Sequence, residues 1–243
     1  MSFEVVVTVV VVLFLGGVLQ SIVGFGIGVV AGPVLAFVAP ELMPEALLVA
    51  AVVLPLMTIR QEGAAADFRG LRWCLAGRVP GMLLGAYVVA RASQRELDLV
   101  VGASVLAAVI ISLVASRRGL SIRRTPRSLT IAGTISGFTG TSAAVGGPPL
   151  ALVYQDAAGP QIRATLAVYF AVGGSMSLAT IFLLGGGNAH AVAVGLLASP
   201  VVAASLAVGG RLQGWGDQAM FRPAVLLASA AAAGVLLVRA VCA

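Results

Sequence analysis

An all-α, polytopic transmembrane helix bundle is the fold class this sequence predicts, and three observations predict it. Of 243 residues, 60% are apolar and only 10% are charged, where water-soluble domains carry about 45–50% and 25%. The charges are confined between uncharged runs at 5–40, 99–116, 128–155, 164–210 and 223–238. Those runs approach or exceed the ~20 residues a helix needs to cross the hydrocarbon core. Such a composition excludes a soluble enzyme, a nucleic-acid binder and a disordered chain. The net charge is +6 and every basic residue is arginine. Placed between apolar blocks, the arginines orient the chain against membrane lipid and do not form a nucleic-acid surface.

Met1-Ser2-Phe3-Glu4 has no basic residue and the apolar run after it outlasts an h-region, so no cleaved signal peptide is expected. The run 5–40 would make a single helix of about 54 Å against a hydrocarbon core of about 30 Å. Its break is expected within Gln20-Ser21-Ile22-Val23-Gly24-Phe25-Gly26-Ile27-Gly28, where glycine permits irregular backbone, with Gly32-Pro33 following. Two shorter spans follow at 46–59 and 73–90, the latter interrupted only by Arg78, then one at 99–116. Residues 128–155 repeat the broken design. The run 164–210 is too long for one span, and Gly185-Gly186-Gly187-Asn188 divides it into 164–184 and 190–209. A last span occupies 223–238.

Ser21 to Ala36 aligns with Ser136 to Ala151 at an offset of 115, matching Gly32 with Gly147, Pro33 with Pro148, and Leu35-Ala36 with Leu150-Ala151. Two internal repeats are therefore expected, 1–116 and 128–243, joined by an Arg-rich linker at 117–127. The linker holds Arg117, Arg118, Arg123, Arg124 and Arg127, which places it in the cytoplasm. If each broken block crosses once, the repeats are parallel. If each turns back as a re-entrant hairpin, they are inverted. The inverted arrangement puts eleven of the fourteen arginines other than Arg78 inside, the parallel one nine, so inverted repeats are expected.

The paired elements Gly24-Phe25-Gly26-Ile27-Gly28-(x3)-Gly32-Pro33 and Gly137-Phe138-Thr139-Gly140-Thr141-(x4)-Gly146-Gly147-Pro148-Pro149 resemble the sulfite exporter TauE/SafE family of bacterial membrane proteins. Gln161-Ile162-Arg163-Ala164-Thr165-Leu166 and the layout of the whole chain carry the resemblance further. It implies a multi-pass inner-membrane transporter, not an enzyme, that exports a small sulfur-containing anion such as sulfite or an organosulfonate. Thr139, Thr141 and Ser142 depart from the commoner glycine-only second motif. A carrier for another small solute, and a non-transporting scaffold or accessory subunit, remain the alternatives.

A small anion in a membrane needs its hydration replaced, and half-helix N-termini offer free N–H groups and favourable dipole ends. The candidate substrate-binding residues are Gln20, Ser21, Gly24, Phe25 and Gly26 from the first break, and Ser136, Thr139, Gly140, Thr141 and Ser142 from the second. Arg163, opening the next helix, is the candidate fixed positive charge, with snorkelling to the interface as its plainer role. Arg78 is a second, less persuasive candidate for that charge; six residues past Arg72, its plainer place is the headgroups, and Trp73 and Tyr154 are expected as belt anchors. The spacings Gly24–Gly28–Gly32 and Gly77–Gly81–Gly85 also serve close helix packing, and the second offers a homodimer face.

No cofactor or metal site is expected: there is one histidine, His190, given a structural role, and Cys74 and Cys242 are isolated. Ser175 lies in Gly173-Gly174-Ser175-Met176, which is no serine-protease motif, and no GxxxxGK[ST] occurs. All nine acids (Glu4, Glu41, Glu45, Glu62, Asp67, Glu96, Asp98, Asp156 and Asp217) fall in loops or at span ends. Proton-coupled carriers commonly relay through a buried carboxylate. A potential-driven uniporter is therefore the expected mechanism.

Overall fold

The computed structural model describes residues 3–118, 122–212 and 218–242. The regular structure in them is helical: α1 Phe3–Val23, α2 Ile27–Val38, α3 Glu45–Glu62, α4 Phe68–Arg91, α5 Gln94–Arg118, α6 Pro126–Ala143, α7 Gly147–Tyr154, α8 Gly159–Leu183, α9 Ala189–Leu197, α10 Ser199–Leu212 and α11 Gln218–Cys242. Met1, Ser2 and Asp217 lie outside the described residues, as do the side chains of Arg117, Arg118 and Arg222.

Local chemistry sets the helix starts. Asp67 caps α4 by accepting from the Gly70 N–H at 3.0 Å. Thr125 and Ser128 form a reciprocal capping box ahead of α6, with Pro126 at its first position. Asn188 opens α9 by accepting from the His190 and Ala191 amides.

Among the described residues, five helices are long and apolar enough to cross a membrane: α1, α3 with the short turn after it, α4, α5 and α8. The pair α9–α10 makes a sixth if its two parts are one span, and it is bent by 44°. Hydropathy alone treats 190–209 as unbroken, and the bend corrects it. Pro200, the second residue of α10, has no N–H to continue the ladder from α9. Outward faces remain apolar, as with Leu83, Leu84 and Tyr87 on α4, the pattern expected of helices solvated by lipid.

Both broken blocks fold back on themselves. Ile27, at the start of α2, lies against Gly16 of α1, and Ile27, Ala31 and Leu35 share a core with Leu13 and Val9. In the same way Leu150 and Val153 of α7 pack with Leu129 and Ala132 of α6. The α2 and α7 segments are therefore short arms returning along the helices that precede them.

The remaining packing crosses the chain's midpoint. The principal partner of α4 is α6, of α3 is α8, of α1 is α10, and α11 packs on both α5 and α2. The α4–α6 contact is a glycine zipper. Carbons built on Gly77 and Gly81 would overlap the carbonyls of Thr130 and Thr134, and carbons on Gly133 and Gly137 would meet those of Cys74 and Arg78. The Gly77–Gly81–Gly85 face is thus occupied by α6 of the same chain and is not open to a second copy.

Candidate functional site

The two helix breaks meet. Gly24 has φ +92° and Gly26 φ +149°, a region that side chains with a Cβ rarely enter. Ala144 makes the second break in the left-handed region at φ 57°, and its carbonyl lies so close to Gly28 that a Cβ there would overlap it. The Phe25 ring covers Gly147. Neither α2 nor α7 has a side-chain hydrogen bond at its N-cap, Gly26 and Gly146 respectively. The positive ends of two half-helices are thereby brought together in the protein interior. A small cavity lies here, lined by residues that include Gln20, Phe25, Gly26, Gly28, Gly146 and Gly147. A second also reaches Gln20 and is lined besides by Gly24, Leu54, Pro55, Thr58, Arg163 and Ala167.

The candidate residues separate by what their polar atoms do. Gln20 is buried and its Oε1 accepts from the Ile27 amide at 3.2 Å, steadying the first break while lining both cavities. Ser136 donates to the Gly146 carbonyl, and Thr139 donates to the Val145 carbonyl at 2.8 Å. These two hydroxyls satisfy carbonyls that the second break frees from the helix ladder. Ser142 donates to Phe138 O in its own helix at 2.8 Å. Ser21 faces α10, where it stands against Gly209. Gly140 packs against Gly146, with a built Cβ 3.4 Å from the Gly146 Cα.

Arg163 is held in an ion pair. Its Nε and Nη2 donate to the Glu62 carboxylate at 2.9 and 2.6 Å. Its charge is therefore neutralised within the chain, and its carbon atoms pack on Gly24. Arg163→Gln should cost about 1–2 kcal/mol, between the exposed and buried limits for such pairs. The exchange Arg163→Glu with Glu62→Arg should recover most of that loss in thermal unfolding of the solubilised protein.

Arg78 departs furthest from the position its sequence suggests. It is 1% exposed and sits inside the bundle, not at the headgroups. Its Nη2 donates to Ser177 Oγ at 3.0 Å, and Ser177 Oγ is 2.7 Å from Thr141 Oγ1. Its guanidinium carbon lies 4.8 Å from the centroid of the Tyr169 ring. Nε and Nη1 have no hydrogen-bond partner among the described residues. Room for the side chain comes from glycines on facing helices, Gly137 on α6 and Gly173 on α8. Tyr154 is likewise buried, not a belt anchor, and its hydroxyl donates to Asp67 at 3.1 Å.

Glu45 and Asp98 stand at helix starts, as their places in the sequence suggest, yet both are buried, at 1% and 3% exposure. Asp98 accepts from Gln94 on its own helix at 2.8 Å, whereas Glu45 Oε1 accepts from the distant Asn188 amide at 3.1 Å and its Oε2 has no hydrogen-bond partner among the described residues. Burial of a carboxylate at a helix N-terminus is eased by the dipole end, a compensation that position in the sequence does not display.

No curated protein and no solved structure matches the chain. A family model described as sulfite exporter TauE/SafE matches residues 9–236. That match covers nearly the whole chain, both helix breaks and every helix that builds the site. The chain therefore belongs to the sulfite exporter TauE/SafE family, and is a multi-pass membrane protein of a family of transporters, not enzymes.

Proposed function

We propose that this protein exports a small anion, sulfite or an organosulfonate, across the bacterial inner membrane through the site where the two helix breaks meet. The observation that carries the proposal is the meeting of the α2 and α7 N-termini around the cavity lined by Gly26, Gly28, Gly146 and Gly147. Two converging half-helix N-termini favour negative charge, and the family match supplies the sulfur-anion class. The fold-back of both broken blocks supports two inverted repeats, 1–116 and 128–243, with the 117–127 linker in the cytoplasm. An inside-negative potential favours anion exit by about 2.3 kcal/mol per charge per 100 mV, so a uniporter suffices energetically.

Flux by purified protein in liposomes tests the proposal, with sulfite, sulfoacetate, sulfate, acetate and chloride compared under a clamped potential. Saturable, potential-sensitive flux of one sulfur anion is the expected result. Transport of a neutral solute alone, or no transport by correctly folded protein, would favour the other-solute or scaffold reading. Gly140→Ala is a clean companion variant, because its added methyl meets only ordinary contacts at 3.4 and 3.7 Å. It should fold as the wild type does and lower flux about tenfold or more, the scale on which one extra carbon matters in a fitted site.

A further inference from the structure

We infer that the Arg78 guanidinium is the charge-recognising group of the transport site, and that it selects monoanionic oxyanions over dianions. The inference rests on the anion-export reading and deepens it. Arg78 is enclosed by α4, α6 and α8 at 1% exposure, and no acidic side chain among the described residues lies within ion-pairing distance. A lone buried cation is strongly disfavoured, and an arginine kept for structure normally spends its donors on carboxylates or carbonyls. Here one nitrogen reaches a hydroxyl, the ring face of Tyr169 lies 4.8 Å away, and Nε and Nη1 remain unpartnered among the described residues. An oxyanion supplies what the guanidinium lacks, both opposite charge and several acceptor oxygens.

The position suits the role. Arg78 stands beside the cavity at the breaks without lining it: a carbon built on Gly140 would be 3.7 Å from Nη2 and 3.4 Å from the Cα of Gly146, which lines that cavity. Thr141, 2.7 Å from the Ser177 hydroxyl that Nη2 reaches, brings one more hydroxyl toward the guanidinium. One uncompensated positive charge matches one negative charge. A sulfonate would leave the buried site neutral, whereas sulfate would leave a net negative charge in an apolar interior, a state that desolvation disfavours strongly.

Thermal unfolding of the full-length protein in detergent tests this, with sodium methanesulfonate and sodium sulfate titrated at constant ionic strength. Sulfate also stabilises proteins generally through exclusion from their surfaces, so the quantity read is wild type minus Arg78→Met. Methanesulfonate should raise the wild-type Tm and leave the variant unmoved, and sulfate should give no difference between the two. Without added sulfonate, Arg78→Met should melt no lower than wild type, since an apolar side chain removes the unpaired charge. Arg78→Lys keeps the charge without the planar fork and should need about 10- to 100-fold more methanesulfonate for the same shift. Equal methanesulfonate shifts in wild type and Arg78→Met, or an Arg78-dependent shift with sulfate as large as that with methanesulfonate, would overturn the inference. Should Arg78→Met fail to fold, an unchanged concentration dependence in Arg78→Lys would overturn it instead. Liposome flux separates the two levels. Sulfonate transport unaltered in Arg78→Met sinks the inference and spares export, whereas an Arg78-dependent Tm shift without wild-type flux sinks export and spares the binding site.

Discussion

Gly81→Ala should lower the stability of the protein by about 1–3 kcal/mol, and the same change at Gly210 should do the opposite. The chemistry is identical at both positions, one hydrogen replaced by a methyl group. At Gly81 that methyl would overlap the Thr134 carbonyl and reach the Phe138 amide at 2.9 Å, whereas at Gly210 nothing lies within 4 Å. The obstacles at Gly81 are backbone atoms of α6, which cannot swing aside as a side chain can. Relief would require α4 and α6 to separate, loosening the reciprocal contacts of Gly77, Gly133 and Gly137 as well as the bond from the Thr134 hydroxyl to the Gly77 carbonyl at 2.9 Å. Between helices in lipid, close van der Waals packing is the main attraction, so lost proximity is not offset by a hydrophobic term. Gly210→Ala should instead gain up to about 1 kcal/mol of helix propensity. Thermal unfolding of both variants in one detergent reads the two signs together. A Gly81→Ala protein as stable as wild type would mean that the zipper contributes little.

Gly28→Ala is expected to lose transport on the order of 100-fold, the scale set by displacing a fitted geometry by about 1 Å. Its methyl would overlap the carbonyl of Ala144, the left-handed residue at the second break. The substitution therefore pushes one break directly away from the other. Gly32→Ala, one turn further along α2, meets its nearest atom at 3.6 Å and should keep near-normal flux. Comparing the pair in liposomes isolates the junction from the general effect of alanine in α2. Full transport by a folded Gly28→Ala protein would remove the junction from the site.

The breaks are legible in the sequence because length forces them. No straight helix accommodates residues 5–40 in one bilayer, and glycine runs mark where the backbone gives way, so the ends of α1 and α6 fall within the expected segments. Sequence leaves the direction of the short arms open, and the core that α2 shares with Val9 and Leu13 decides it. Arg78 defies its sequence position for a physical reason. Its distance from Arg72 along the chain suggests the headgroups, but its burial is decided by Gly137 and Gly173, which leave space on two other helices. Glycines able to face an intramembrane arginine are visible in a sequence, but which of them do so is not. Arg163 shows the converse. Its residue type suits an anion site, yet its partner Glu62 is 101 positions away, and no local pattern announces that pair. The hydroxyls of Ser136 and Thr139 do stand at the second break, but their targets are the break's own carbonyls.

The pairing of α4 with α6, α3 with α8, α1 with α10 and α2 with α11 has a consequence for biogenesis. A chain emerging from the ribosome delivers α1, α3, α4 and α5 before their main partners exist. During that interval the glycine face of α4 has no α6 to close on it, and the Arg78 side chain lacks both Ser177 and the Tyr169 ring. The α2 arm can fold back on α1 at once, but its second support comes from α11, the helix synthesised last. Insertion and assembly are therefore separate stages, and the half-finished bundle must be sheltered with a bare guanidinium facing lipid or the insertion machinery. The packing of the first half is therefore complete only when the final helix arrives.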